Sequence, residues 1–288
     1  MPTNTDGRIP ILLDTDIGSD IDDALALAYL LRQPRCELLG ITVVTGDVAQ
    51  RAAIADVVCR AFGKPHIPIR LGASDPLGNG PGQPNVPHYE AIRHLPHRAD
   101  HPGRAVDFLR ETIRARPHEI ILLSIGPLAN LAILFALDPE IPHLLRGIVS
   151  MAGSFFREDH GEWNCICDPE ATTIALRRSI NHTLVGLDVT LRCTQSPAQV
   201  REHFAKPPCD VLLTMAEKFF QSADRLTFHD PLAAALIFQP ELCRLREERL
   251  SVDARGHTNI GSNGQPHKLA AEVDVDGFFR EYFGVVHA

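Results

Sequence analysis

The chain has 288 residues, of which 44% are apolar and 22% charged. That balance excludes a disordered chain, a collagen and a small disulfide scaffold, while the length admits two domains or one large α/β domain. The 28 basic and 36 acidic side chains leave a net charge of −8, which excludes nucleic-acid polymers and anionic membrane surfaces as partners.

In chain order, Met1-Pro2-Thr3-Asn4-Thr5-Asp6 shows neither the basic start nor the apolar run of a secretory leader. Residues 9–14 read as a buried strand and 22–31 as a helix. Residues 38–45 are strand-like again, followed by a helix from 48 to about 62 that Gly63 stops. The next predicted strand is 67–71. Between 74 and 102 lies a loop rich in proline, glycine and histidine, with little periodicity, which marks a candidate active-site loop. A helix near 104–115, a strand at 120–125 and a helix at 128–137, ended by Asp138-Pro139, continue the alternation. So do a strand at 148–151, a helix at 169–178 and a strand at 183–189. From about 196 onward the pattern is mostly helical, with a last strand candidate near 250–252.

Strands apolar on both faces, separated by helices, predict an α/β fold with a mostly parallel, Rossmann-like central sheet covered by helices on both faces. With no repeat and no clear linker, residues 1–288 read as one domain with extra C-terminal helices. In such sheets the site lies at the C-terminal ends of the strands, so the polar residues just beyond each strand are the candidates. The longest apolar run, 24–31, has eight residues, short of the ~18 needed to span a bilayer. The seven cysteines form no Cys-x-x-Cys pair, and only Cys165 and Cys167 are close. They read as free thiols of a cytoplasmic protein.

Five carboxylates, Asp14, Asp16, Asp20, Asp22 and Asp23, fall within ten residues where the first strand meets the first helix. The helix dipole favours one or two acids there, but five repel one another unless something positive compensates. No lysine or arginine occurs between Arg8 and Arg32, so a bound cation is the expected compensation, and all-oxygen ligands favour Ca²⁺ or Mg²⁺ over zinc. An EF-hand loop starting at Asp14 would need Gly at its sixth and Glu at its twelfth position; Ser19 and Leu25 stand there. Haloacid-dehalogenase phosphatases also open on a strand and Asp-x-Asp. Gly18 departs from their pattern, however, and the chain has no other Asp-Asp pair.

The segment Asp14-Thr15-Asp16-Ile17-Gly18…Asp22-Asp23-Ala24 resembles the signature of the inosine–uridine-type nucleoside hydrolases, and further blocks follow in that family's order. They are Thr45-Gly46-Asp47, Ile125-Gly126-Pro127-Leu128-Ala129-Asn130, Met151-Ala152-Gly153, Glu162-Trp163-Asn164 with Cys167-Asp168-Pro169-Glu170-Ala171, and Phe228-His229-Asp230-Pro231. The resemblance implies Ca²⁺-dependent hydrolysis of a small ribonucleoside to ribose and free base, in a homodimer or homotetramer. It implies that Asp16, Asp23, Asp230 and the backbone carbonyl of Ile125 hold Ca²⁺, with Asp14 orienting these ligands. Asp16 would double as general base for the attacking water. Asp22, Glu162 and Asn164 would hold ribose hydroxyls, with Asp47 on the 2′ side and Met151 in the substrate wall. His229 would sit near the leaving base. The chemistry asks for the same residue types, because an oxocarbenium-like state is stabilised by surrounding carboxylates.

The chain departs from the family's usual form in places. Ser19-Asp20-Ile21 stand between Gly18 and Asp22, where the family usually has one residue. Aligning on the helix start makes Asp20 part of a two-residue insertion; the alternative gives Asp20 a ligand role. Asp47 replaces an amide and can only accept a hydrogen bond when ionised. Trp163, the single tryptophan, lies in the ribose block, so tryptophan stacking on the base is not expected, and Phe219 and Phe220 occupy the helix where relatives place a tyrosine. Leaving-group protonation would then rest on His229 or on a loop histidine such as His88. Competing readings are a catalytically weak ribosyl-binding protein on the same fold and a haloacid-dehalogenase-like phosphohydrolase.

Overall fold

The structure is a computed structural model that describes residues 7–157 and 161–288. The first six residues, on which the reading of the N-terminus rests, lie outside the described residues. The chain alternates through β1 (Ile9–Thr15), α1 (Asp22–Arg32), β2 (Cys36–Val43), α2 (Val48–Ala61), β3 (Ile69–Leu71), α3 (Pro87–Ile92) and α4 (Ala105–Ala115). It continues through β4 (Ile121–Ser124), α5 (Ala129–Leu137), α6 (Ile141–Leu144), β5 (Gly147–Met151), α7 (Trp163–Cys167), α8 (Pro169–Arg178) and β6 (His182–Val185). A mostly helical stretch follows: α9 (Leu187–Thr190), β7 (Thr194–Gln195), α10 (Pro197–Phe204), α11 (Asp210–Phe219), β8 (Leu226–Thr227) and α12 (His229–Leu236). The last elements are β9 (Cys243–Val252), β10 (Thr258–Ile260), β11 (Gln265–Val273) and α13 (Val275–Val286).

The main sheet has nine strands in the order β10-β9-β11-β6-β5-β4-β1-β2-β3, and β7 pairs with β8 apart from it. From β3 to β11 the neighbours run parallel, whereas β9 and β10 are antiparallel. The fold is therefore a single α/β domain around a mostly parallel sheet. Its two sides bury different residues. Ile11 and Leu13 of β1 join the core beneath α1, α2, α12 and α13, and Leu12 joins the core beneath α4, α5 and α8. Alternation along a strand buried on both faces produces this division.

The chain steps from β1 outward to β2 and β3, then returns to β4 on the other side of β1. That reversal opens a crevice at the C-terminal ends of β1 and β4, where open α/β sheets bind ligands. The C-terminal part differs from expectation. In place of helices with one short strand, β9 and β11 form a long antiparallel hairpin that extends the sheet. Because β10 pairs with β9 only at residues 250–252, the rest of β9 is open on that side, and Arg244, Arg246, Glu247, Glu248 and Arg249 fall there; charges of this kind keep an open strand from pairing with other chains. The strand expected at 183–189 stops at Val185, and α9 follows Gly186.

Candidate active site

The crevice holds a cavity of about 580 Å³, within the range of small-molecule sites. Its polar floor comes from the turn after β1, the start of α1 and the start of α12: Asp16, Asp20, Asp22, Asp23 and Asp230 all line it. Ile125 after β4, Met151 at the end of β5, and Glu162 and Asn164 at α7 line it as well. The sheet order thus gathers blocks separated by more than 200 residues. The backbone N–H of Asp230 donates to Asp22 Oδ2 at 3.2 Å, which ties α12 directly to α1.

Among the described residues, Asp22, Asp23 and Asp230 form the one group whose carboxylate oxygens all lie within 4.8 Å of one another. All three are buried. Burial pushes each of these carboxyls well above the usual carboxylate range, and the neighbouring acids push them further. Thr15 Oγ1 donates to Asp23 Oδ1 and so fixes one member of the trio. Asp16 stands in the same wall, outside the convergent group, with its carboxyl also raised by burial. Gly126 lets it approach β4: a Cβ there would meet Asp16 Oδ1 at 2.9 Å.

Asp14 sits behind this wall and does not line the cavity. Its Oδ1 accepts from Thr42 Oγ1 and from Asn130 Nδ2 at 2.7 Å, while its Oδ2 is buried without a partner. Burial raises the carboxyl to about 7 against those two hydrogen bonds. Asp20 lines the cavity and its Oδ1 accepts from the N–H of Ile21 at 2.5 Å; burial pushes it up to about 6.

On the facing side, Glu162 caps α7. Its oxygens accept from the N–H groups of Asn164 at 2.8 Å, Gly153 at 3.0 Å and Cys165 at 3.1 Å. Asn164 Nδ2 donates to the carbonyls of Ile125 at 3.0 Å and Met151 at 3.1 Å, which leaves its Oδ1 as the acceptor for a ligand. His229 Nδ1 lies 2.8 Å from Thr190 Oγ1, and burial lowers the ring to about 4, so it is neutral at pH 7. The upper wall is apolar, formed by Trp163, Ile166, Leu187 and Leu191.

Some expected residues stand elsewhere. Asp47 is exposed, does not line the cavity, and accepts from the N–H of Gln50 at 3.0 Å as the N-cap of α2. His88 is buried in α3, away from the cavity lining. Phe219 and Phe220 pack against the core and likewise do not line the cavity. Trp163, not expected near the base, lines the mouth with 45% of its surface exposed, because it is the first residue of α7 after the Glu162 cap. The loop at 74–102 contains α3 and contributes Gln83 to the cavity. All seven cysteines are buried and free, and burial pushes the Cys167 thiol up to about 12.

The acidic turn also has a cation that its own sequence lacks. Arg51 of α2 is fully buried beneath it and bonds to its backbone, with Nη1 donating to the Asp16 carbonyl. Only the crossover from β2 to α2 brings this side chain under the turn, so no local pattern near Asp14–Asp23 reveals it.

A crevice of this kind at the switch point of an α/β sheet, lined by both carboxylates and apolar side chains, is the site of a protein that takes a small polar molecule. The chain belongs to the inosine-uridine preferring nucleoside hydrolase family, which matches residues 11–280, and it is an enzyme, a nucleoside hydrolase. It is 30% identical over 295 residues to the non-specific ribonucleoside hydrolase RihC of Shigella boydii, covering 94% of this chain and 96% of that protein. The RihC of Escherichia fergusonii matches with the same identity and coverage. Among solved structures, the purine-preferring ribonucleoside hydrolase from Gardnerella vaginalis is 25% identical, with a TM-score of 0.84 over 96% of this chain and 98% of its own. An inosine-guanosine nucleoside hydrolase shares the fold at 21% identity, with a TM-score of 0.86 over 97% of this chain and 99% of its own. The phosphohydrolase reading falls with this membership.

Proposed function

We propose that the chain hydrolyses the N-glycosidic bond of ribonucleosides to free base and ribose, with Ca²⁺ held at the acidic floor. The observation that carries this reading is the buried trio Asp22, Asp23 and Asp230 at the base of the cavity. Three carboxylates so close in a low-dielectric site do not all ionise without a cation. Their hard oxygen donors fit Ca²⁺ or Mg²⁺. Asp16, Asp23, Asp230 and the Ile125 carbonyl are the proposed ligands, and the convergence adds Asp22 to them. When bound, the ion offsets the carboxylate charge and lowers the pKa of a ligated water.

The chain's own residues do the rest. Asp16, in the same wall, takes the proton of the attacking water. Asp22, Glu162 and Asn164 Oδ1 accept from ribose hydroxyls, which orients the sugar with its C1′ over the acidic floor. The surrounding carboxylates stabilise the positive charge that develops as the bond to the base breaks. The base lies against Trp163, Ile166, Leu187 and Leu191, whose largely apolar surface suits a purine or a pyrimidine ring. His229, which lines the cavity and is held by the contact of its Nδ1 with Thr190 Oγ1, is the side chain proposed to sit near the leaving base.

A nucleoside panel with separate detection of base and ribose, with and without chelator, tests this. Turnover of both base classes, abolished by chelator and restored by Ca²⁺, is expected. Tight ribose binding without turnover would instead mark a ribosyl-binding protein. Asp16→Ala is expected to fold but to lose at least about 10²–10⁴-fold in kcat, the usual contribution of acid–base help. A variant that keeps about a tenth of wild-type kcat would remove Asp16 from the role of base.

A further inference from the structure

Arg51 is the largest fully buried side chain of the described residues, and it lies under the acidic turn. Its guanidinium donates to five neutral acceptors. Nε bonds the carbonyl of Thr45 at 2.7 Å. Nη1 bonds the carbonyl of Asp16, the carbonyl of Ile17 at 3.2 Å and Ser19 Oγ at 3.0 Å. Nη2 bonds the carbonyl of Gln83 at 2.8 Å. These acceptors belong to three separate segments: the turn after β2, the acidic turn after β1, and the 74–102 loop. Ser19 and Gln83 themselves line the cavity. The same two segments are also joined by Ser19 Oγ donating to the Asn85 carbonyl at 3.1 Å and by the His88 N–H donating to the Gly18 carbonyl at 3.2 Å.

A buried cation is costly unless its donors are satisfied and opposite charge is near. Here the donors are spent on carbonyls and a hydroxyl, so the hydrogen bonds satisfy the guanidinium without consuming its charge on a carboxylate. Only the planar guanidinium, with five N–H groups in a fixed fork, can span three segments at once; a lysine ammonium supplies the charge without the span.

We propose that Arg51 is a positioning residue of the hydrolase: it clamps the acidic turn and the 74–102 loop into one rigid wall of the site and serves as that wall's built-in counter-charge. The inference rests on the proposed hydrolysis for its kinetic consequence, but the clamp itself is a property of the protein without ligand. Displacing catalytic groups by about an ångström costs on the order of 10²-fold in rate.

Two variants separate clamp from charge. Arg51→Lys keeps the charge and loses the fork, and Arg51→Ala loses both and leaves a guanidinium-sized hole. For Arg51→Lys, kcat on a ribonucleoside is expected to fall about 10²-fold with circular dichroism unchanged. In the metal-free protein, amide hydrogen exchange is expected to rise in residues 16–20 and 82–88 while β4 and β5 keep wild-type protection. Added guanidinium is expected to restore Arg51→Ala, and added ammonium is not. Overturning results are an Arg51→Lys enzyme within about threefold of wild-type kcat, or an exchange increase spread evenly over the sheet, which marks a merely structural arginine. Should Arg51→Ala fail to fold, Arg51→Lys decides alone. If wild-type protein hydrolyses no nucleoside, the proposed function falls, and the exchange comparison still judges the clamp.

Discussion

Asp14, Asp16, Asp22, Asp23 and Asp230 are one side chain in several different surroundings, and the surroundings assign the work. Asp14 is closed off by Thr42 and Asn130, whereas Asp22, Asp23 and Asp230 converge on one point. Asp20 lines the cavity without joining that group. Calcium titration calorimetry is therefore expected to show Asp23→Asn losing far more affinity than Asp20→Asn; the reverse order would give Asp20 the ligand role. Asp14→Asn, acting through its neighbours, is expected to cost about 10–100-fold in metal affinity. A pair of histidines away from the site carries a separate prediction. His182 and His267 pack with ring centroids 5.5 Å apart on β6 and β11. Burial pushes His182 well below its ordinary value and His267 down to about 4. Between about 4 and the ordinary value near 6.5 the unfolded chain binds the protons that the folded chain refuses. Stability is thus expected to fall as pH drops through this window, by about 1.4 kcal/mol for each unit of depression once both values are passed. A His267→Gln variant should flatten the melting temperature's dependence on pH, and an unchanged slope would count against the pair.

At the scale of elements, caps and turns explain which side chains are free for chemistry. The α2 helix begins with Asp47 accepting from the Gln50 N–H, and that bond occupies the carboxylate on the exposed side of the turn. Asp47→Ala is expected to cost about 0.5–2 kcal/mol of stability in a denaturant titration. KM for ribonucleosides should stay unchanged; a raised KM with unchanged stability would return Asp47 to the 2′ side of the sugar. Glu162 also caps a helix, but α7 opens on the cavity, so the same capping geometry leaves a carboxylate facing the site. Elements with strong local signals, such as β1, α1 and α8, were legible from hydrophobic runs, acidic helix starts and Asp-Pro junctions. Of the β9–β11 hairpin only the end of β9, at 250–252, was legible, because the charged run Arg246-Glu247-Glu248-Arg249 in β9 and the Leu269-Ala270-Ala271-Glu272 stretch in β11 break the period-2 alternation that marks a strand.

Over the whole molecule, the switch in strand order between β1 and β4 decides where the site forms, and the two cores on either side of the sheet hold it rigid. Binding that requires the assembled trio stabilises the folded chain alone. Ca²⁺ at about 100 times its dissociation constant is expected to add about 2.7 kcal/mol, seen as a higher melting temperature that chelator reverses. Scanning calorimetry with no shift in either direction would count against a site built only on folding. Among the described residues no helix is long and apolar enough to cross a membrane.

The alternation of strands and helices, the acidic turn and the order of the family blocks are local or ordered features, so the amino-acid sequence alone determined the fold class and the neighbourhood of the site. Which carboxylates meet was decided by tertiary structure, since Asp22 and Asp230 touch across 208 residues only when the sheet places α1 beside α12. The counter-charge was decided there too. Sequence near the acidic turn offers no cation and points wholly to a bound ion. Folding adds Arg51 from the next crossover, because charges interact through space and not along the chain.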